Sequence, residues 1–199
     1  MMEAEAPNLL FMDERRAPAG GSASAAAPPP SPEAALVTSV RAGDREAFNG
    51  LYEMFAPMVH GVLLARVPYD EVGDLVQEVF LTAFRKLDSL RDAERFGPWV
   101  AMIARNRAMD FPRRARATEE LQDELAHAPR PAAEAAEALE LIRALPEAYR
   151  ETLVLRLVEG MTGPEIAART GLQPASVRVN LHRGMKLLRE RLAGKGQKR

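Results

Sequence analysis

Apolar residues recur at intervals of three and four along most of this 199-residue chain, which is the period of α-helices that bury one face. The first half predicts five helices: from Pro32 to Gly43, from the cap Asp44 to Pro57, over Met58–Val67, over about Asp70–Leu87 and over Phe96–Phe111. No segment shows the alternating pattern of a half-buried strand. The pattern therefore predicts an all-α fold.

The stretch Leu145–Leu192 has the spacing of a helix-turn-helix. Its first helix is predicted to bury one apolar face, formed by Leu153, Val154, Leu157 and Val158. Thr162 begins a short second helix as the first residue of a Thr-x-x-Glu capping box. Gly171 supplies the sharp turn, because glycine reaches positive φ without a Cβ clash, and Pro174 fits the first turn of the third helix.

The third helix divides into an apolar stripe and a cationic face. The stripe consists of Val177, Leu181, Met185, Leu188 and Leu192, and the other side carries Ser176, Arg178, Val179, His182, Arg183 and Lys186. Residues 175–199 carry a net charge of +7. An ordinary amphipathic helix with a solvated face would explain the charge alone. The tight turn before it favours a helix that enters the major groove of DNA.

The whole chain is nearly neutral, with a formal net charge of −1, but its charges are segregated. Residues 99–116 carry +4 and residues 117–151 carry −6, so an acidic stretch lies between two basic ones. The chain has no cysteine, which excludes disulfides and thiolate metal sites and fits a cytoplasmic location. No apolar run is long enough to span a bilayer, and the N-terminus is a poor secretory signal.

Residues 1–30 consist largely of Ala, Pro, Gly and Ser and are predicted to form a disordered tail. The apolar cluster Leu9–Met12 interrupts this composition. It is either a docking segment or an incidental cluster, and the tail around it favours the second interpretation.

Two motifs of the first half carry more than packing. The first, Asp-Leu-Val-Gln-Glu-Val-Phe at residues 74–80, places Asp74, Gln77 and Glu78 on the outer side of a helix. There they form either a partner-binding strip or a plain solvated face. The second motif spans Phe96–Arg114 and distributes arginines along a helix whose far end is strongly basic.

In their order and separation these motifs resemble the extracytoplasmic-function sigma factors, small promoter-recognition subunits of bacterial RNA polymerase. The resemblance covers Leu36 to about Leu192. It rests on Gly-Asp-Arg-Glu-Ala-Phe at 43–48, on the motif at 74–80, on Trp99–Asp110 with its Ile-Ala-Arg-Asn centre, and on Val177–Arg183. Each motif alone is weak, whereas their combination is specific.

The resemblance implies two small helical domains joined by a flexible linker. After the tail at 1–30, it places region 2 at 31–115, the linker at 116–134, region 4 at 135–193 and a basic tail at 194–199. Region 2 is expected to bind the clamp helices of core RNA polymerase and to open the −10 element of promoter DNA. Region 4 is expected to bind the polymerase flap and to read the −35 element. An anti-sigma factor is a further candidate partner, and no membrane insertion or cofactor is expected.

The same resemblance assigns the site residues. Polymerase binding falls to Asp74, Leu75, Gln77, Glu78 and Phe80. Recognition of the −10 element falls to Arg105, Asn106, Arg107, Arg113 and Arg114, with the loop Asp88–Arg95 as a pocket for a flipped base. Recognition of the −35 element falls to Ser176, Arg178, Val179, Asn180, His182, Arg183 and Lys186.

The chain departs from the family pattern in two places. Val179 and Asn180 stand where the family usually has Ser-Arg. Valine offers only an apolar contact, as to a thymine methyl, and asparagine pairs with adenine rather than guanine, so the −35 sequence read is expected to differ. Pro112 stands where the family has a helical residue, and it is expected to end the −10 helix early.

Other classes of function fit less well. An enzyme is disfavoured, because His60, His127 and His182 lie far apart and no glycine-rich phosphate loop follows a strand. The sequence therefore predicts no catalytic residue and no metal site. The main alternative is a helix-turn-helix regulator that binds duplex operators as a dimer, without polymerase. A protein-binding module with a basic docking helix is a further alternative, against which the helix-turn-helix spacing argues.

Overall fold

A computed structural model describes residues 29–118 and 133–196, with side chains over 29–111 and 134–194. Within these ranges it contains two 3-10 turns, Leu87–Ser89 and Ala93–Arg95, and no strand. The α-helices are α1 (Pro32–Arg41), α2 (Ala47–Leu64), α3 (Tyr69–Lys86), α4 (Phe96–Thr118), α5 (Ala133–Arg143), α6 (Glu147–Leu157), α7 (Gly163–Thr170) and α8 (Pro174–Gly196). The all-α prediction is confirmed. The cluster Leu9–Met12, His127 and most of the predicted tail and linker lie outside the described residues.

Helix α2 lies at the centre of the first unit and packs against α1, α3 and α4. Its inner face is almost completely buried and comprises Leu51, Phe55, Met58, Val59, Val62 and Leu63. The predicted stripe of α3 is buried from Val72 to Ala83, whereas Phe84 lies at the surface. Phe96 and Val100 close the core from α4. The apolar faces that the sequence pattern predicted thus pack together in a unit of four helices, α1 to α4.

Two prolines do not end helices as the sequence suggested. Helix α2 runs without interruption through Pro57, and α4 continues past Pro112 to Thr118. Proline removes one backbone hydrogen bond from a helix. At Pro57 that loss is offset, because Pro57 faces solvent while Met58 and Val59 beside it are fully buried. The predicted break at Pro57 and the predicted early end at Pro112 are therefore wrong.

The second unit is the helix-turn-helix α7–α8 supported by α5 and α6. Thr162 and the Glu165 side chain form the predicted capping box, with Thr162 N donating to Oε2 at 2.8 Å. Gly171 has φ +74°, and its N–H donates to the Ala167 carbonyl at 3.0 Å, which closes the turn before α8. Leu192, predicted to lie on the buried stripe, is half exposed near the end of α8.

The buried face of α6 differs from the prediction. Leu157 and Val158 are 46% and 50% exposed, so the prediction that they are buried is wrong. The polar Glu151 and Thr152 are buried instead. The reason is that α6 packs between α8 on one side and α2 of the first unit on the other, which buries its middle on both sides and leaves its end in solvent.

The two units pack against each other, α6 on α2 and α7 on α4, an arrangement that we call closed. A Cβ atom at Gly97 would lie only 2.9 Å from the carbonyl oxygen of Arg169, so the two backbones meet at a position that only glycine fits. The Arg169 Nη1 donates to the Met54 carbonyl at 2.9 Å. None of the described helices is long and apolar enough to cross a membrane.

Candidate nucleic-acid and polymerase interfaces

The cationic face of α8 lies at the surface, as predicted. Its exposed members are Ser176, Arg178, Val179, His182, Arg183 and Lys186. Val177 is buried beneath them and anchors the helix to the core of the second unit. Asn180 differs from the rest, because it is half-buried and lines a cavity of about 390 Å³ between the two units. The helix therefore presents its cations to solvent and turns one predicted base-reading residue towards the first unit.

The predicted −10 residues of α4 fall into two groups. Asn106 is exposed, and it lies on a helical stripe with Met102 and Met109, which are 53% and 71% exposed. The spacings of four and three around Asn106 are those of one helical face, and the sequence alone did not show that this face is exposed. Nothing is described of the side chains of Arg113 and Arg114, although the backbone of α4 is helical there.

Arg105, in the second group, is held by a carboxylate of the second unit. Its Nη2 bonds Glu151 Oε1 at 2.7 Å, and its Nε bonds Oε2 at 3.1 Å. Arg66, just beyond the end of α2, bonds the same Oε2 at 2.8 Å. The Glu151 side chain is only 7% exposed. Neither Arg66 nor Glu151 was found from the sequence, because α6 carries several charged residues and nothing in its pattern sets Glu151 apart from them.

The surroundings of Glu151 lower its pKa. Burial alone would raise the pKa of this carboxyl, but the hydrogen bonds and charges of Arg105 and Arg66 outweigh burial and hold it below the ordinary value of 4.5. Glu147 is the other acid at this cluster, with Oε1 3.7 Å from Arg66 Nε, and it is largely exposed. Glu151 is therefore ionised wherever the protein is folded near neutral pH.

We expect the closed arrangement to lose stability in acid. A carboxyl whose folded-state pKa is depressed stabilises the fold above its unfolded pKa, and this contribution is lost as the pH falls from about 4.5 through the folded value. Urea unfolding measured at steps between pH 7 and pH 3 (a range that brackets ordinary Glu values) should show it. The difference between wild type and Glu151→Gln should shrink towards low pH. A difference that stayed constant would contradict the ionised pair.

The predicted polymerase strip on α3 is partly available. Asp74 and Gln77 are exposed, whereas Leu75 and Phe80 are buried in the core and can act only by positioning the helix. Glu78 forms an ion pair with Arg107 of α4 through Oε2 and Nη2. This pair joins a predicted polymerase residue to a predicted −10 residue.

Two concave surfaces accompany these residues. A cavity of about 200 Å³ between α3 and α4 is lined by Val79, Thr82, Lys86, Ile103, Asn106, Arg107 and Asp110. An apolar groove of about 620 Å³ on the helix-turn-helix is lined by Gly163, Pro164, Ala167, Ala168, Leu172, Pro174, Val177, Arg178 and Leu181. The loop predicted to hold a flipped base runs through the two 3-10 turns, and the Arg41 Nη2 donates to the Leu87 carbonyl at 3.0 Å. Among the described residues, no group of three His, Asp or Glu side chains is arranged to hold a metal.

Comparison with known proteins identifies the class. Residues 51–118 match Sigma-70 region 2, and residues 135–188 match Sigma-70, region 4. The chain belongs to the extracytoplasmic-function group of the sigma-70 family, non-catalytic subunits that direct RNA polymerase to promoters. It is 34% identical over 167 residues to the RNA polymerase sigma factor CarQ of Myxococcus xanthus, which covers 76% of this chain and 92% of CarQ. It is 33% identical over 181 residues to the ECF sigma factor SigD of Mycobacterium bovis, which covers 81% and 84%.

Solved structures share the fold. CnrH, in its complex with the cytosolic domain of CnrY, matches with a TM-score of 0.61 and 26% identity over 82% of this chain and 98% of CnrH. The sigma factor RpoE of Bartonella quintana, in complex with the anti-sigma factor NepR, matches with a TM-score of 0.53 and 21% identity over 73% and 96% of the two chains. The second likeness concerns the fold alone. Family membership sets aside the enzyme and the polymerase-independent regulator.

Proposed function

We propose that α8 reads the −35 element and that the exposed face of α4 binds the −10 strand. The observation that carries the first assignment is the exposed row Arg178, Arg183 and Lys186 on a helix that directly follows the tight turn at Gly171. A helix of this kind enters the major groove, where arginine pairs with guanine edges or phosphates. Val179 is exposed on the same face and offers a contact for a thymine methyl.

For the −10 strand, the stripe Met102, Asn106 and Met109 provides the contact surface. Methionine is among the apolar side chains that insert between unstacked bases, and an amide can bond to a base edge. Arg105 and Arg107 flank this stripe but are held by Glu151 and Glu78 in the closed arrangement. They become available to DNA once those acids move away.

For core polymerase, two surfaces are proposed. Asp74 and Gln77 on α3 contact the clamp helices, and the apolar groove between α7 and α8 receives the flap. An anti-sigma factor that stabilises the closed arrangement is a candidate regulator. Because polymerase is the partner, the proposed location is the cytoplasm.

The experiment that tests the proposed function is reconstitution with core RNA polymerase, followed by sequencing of the transcripts that are initiated. Transcripts should start at a defined distance downstream of two shared sequence elements, and initiation should depend on the added chain. Binding of duplex DNA by the chain alone, without any polymerase-dependent initiation, would contradict the proposal.

Asp74→Arg is expected to weaken binding to core polymerase while leaving the helix content unchanged. Asp74 is exposed on α3, so its replacement costs no core packing and acts through the reversed charge. Co-purification with core polymerase, with helicity checked by circular dichroism, measures this.

Glu53→Arg is the matched control, because Glu53 is an exposed acid on α2 that the proposal does not assign to polymerase. It should bind core polymerase like the wild type. Equal recovery of wild type and Asp74→Arg would remove α3 from the polymerase interface.

A further inference from the structure

Arg66 is a cation that no motif of the sequence singled out. It follows α2 within region 2, and its Nη1 donates to the Val62 carbonyl one turn earlier at 3.0 Å. Its side chain is largely buried, and its Nη2 bonds the Glu151 carboxylate. Because Val62 belongs to α2, region 2 itself holds this guanidinium in position. It does not depend on region 4 for its placement.

Arg66 and Arg105 converge from region 2 on Glu151, the buried carboxylate that region 4 supplies, while the exposed Glu147 lies at the edge of the cluster. Three contacts of 2.7, 2.8 and 3.1 Å join the two guanidinium groups to Glu151. Two cations aimed at the same point repel each other unless an anion lies between them. When region 4 leaves, this point therefore selects another anion of similar size and geometry.

Binding to a promoter requires region 4 to leave. The positions −35 and −10 place the centres of the two elements about 25 base pairs apart, which is about 85 Å of duplex at about 3.4 Å per base pair. In the closed arrangement α4 and α8 both pack against α7, so their axes lie within about 20 Å of each other, which is two helix–helix distances of about 8–10 Å. This is much less than the separation of the two elements, so α4 and α8 cannot contact both at once.

We propose that Arg66 and Arg105 together form a binding site for a backbone phosphate of the DNA strand, and that the Glu151 carboxylate occupies this site in the closed arrangement. Phosphate and carboxylate oxygens accept the same bidentate hydrogen bonds from guanidinium groups. Arg105 adjoins Asn106 on α4, so a phosphate held here places the strand beside the stripe of Met102 and Met109. The proposal rests on the assignment of α4 to the −10 strand and adds Arg66 to it.

A consequence is direct competition between region 4 and DNA for the same two cations. The free chain withholds them, because the carboxylate is covalently part of the same molecule and has a high effective concentration. DNA reaches them only when the two regions are held apart. Neutralising Glu151 removes the competitor without removing either cation.

The test measures binding of a fluorescent 12-nucleotide single-stranded DNA of mixed sequence to the full chain, by anisotropy at several salt concentrations (a length within the range of about 4–16 nucleotides typical of such sites). Glu151→Gln should bind roughly tenfold tighter than wild type, the value of one charge-assisted contact. Adding Arg66→Gln to Glu151→Gln should abolish that gain and reduce the salt slope by about 0.7. Adding Arg45→Gln instead, which removes an exposed charge elsewhere on region 2, should leave the gain intact.

The design separates a phosphate site from a mere clasp between the units. If Arg66 only clasps Glu151, the double variant keeps the affinity and salt slope of Glu151→Gln, and the proposal is overturned. It is also overturned if Glu151→Gln folds, as shown by thermal unfolding, but binds no tighter than wild type. If Glu151→Gln does not fold, Arg66→Gln and Arg45→Gln are compared in the polymerase holoenzyme, where only Arg66→Gln should lower the salt slope of promoter binding. The free-chain assay needs no polymerase, so failure of sigma activity is seen separately.

Discussion

Phe55→Ala is expected to lower the free energy of unfolding by about 3–5 kcal/mol, the usual cost of removing a large buried aromatic ring. Phe55 is 1% exposed in the middle of α2, and its ring centre lies 5.2 Å from that of Phe96. The Arg169 guanidinium of region 4 stacks over the same ring at 5.9 Å. The cavity would therefore weaken the region 2 core and the contact with region 4 together.

Urea unfolding followed by circular dichroism measures this loss. Tyr52→Ala is the matched control, because Tyr52 lies one turn earlier on α2 and is 41% exposed. Its replacement leaves no enclosed cavity and should cost markedly less. If the two variants lost equal stability, Phe55 would not be the centre of the core that its burial indicates.

Arg183→Ala is expected to weaken promoter recognition by about 1–3 kcal/mol and to relax the preference at one −35 position, if Arg183 bonds a guanine edge. Arg183 is exposed and lies about one turn after Val179 on the face away from Val177. The measurement is initiation by reconstituted holoenzyme on a library randomised across the −35 element. If Arg183 contacts only phosphate, the loss should be similar on all sequences and the salt slope should fall by about one unit.

Asn180→Arg is the companion variant, because it restores the residue that the family usually has and should shift the −35 preference. It has to be measured in the holoenzyme, since Asn180 lines the same cavity as Arg66 and Arg105 and a third cation there would also disfavour the closed arrangement. Lys186, further from the start of α8, should behave as a phosphate contact. Unchanged preference in both Arg183→Ala and Asn180→Arg would mean that α8 does not read the −35 element.

The sequence predicted the helices well where local chemistry decides them. The capping box at Thr162 and the turn at Gly171 depend on neighbours a few residues away, and both were predicted correctly. Pro57 was misread, because the burial that holds α2 together on either side of it comes from other helices. The local sequence indicates that a proline costs a helix one hydrogen bond, but it does not show the tertiary packing that offsets this cost.

The contact between the two regions could not be predicted from the sequence. Arg105 and Glu151 are 46 positions apart, with the predicted linker between them, and no periodicity connects them. In α6 the usual pattern is inverted, since the acid Glu151 is buried while Leu157 is half exposed. The reason is that α6 has neighbours on two sides, one of which belongs to the other half of the chain. The sequence therefore led to candidate DNA residues, whose roles stay predictions, but it did not reveal that Glu151 holds Arg105.

Leu155 of α6 is fully buried, and a Cβ atom at Gly61 of α2 would lie 2.7 Å from its Cδ2, so region 2 covers this leucine directly. Opening the closed arrangement exposes it to water, at a cost of about 25 cal/mol for each Å² of apolar surface. This cost opposes opening of the free chain. Any partner that requires the open form binds with an affinity reduced by the fraction of molecules that are open. A partner surface that covers Leu155 in the open form would offset the cost of exposing it. Binding at Leu155 would therefore stabilise the open form.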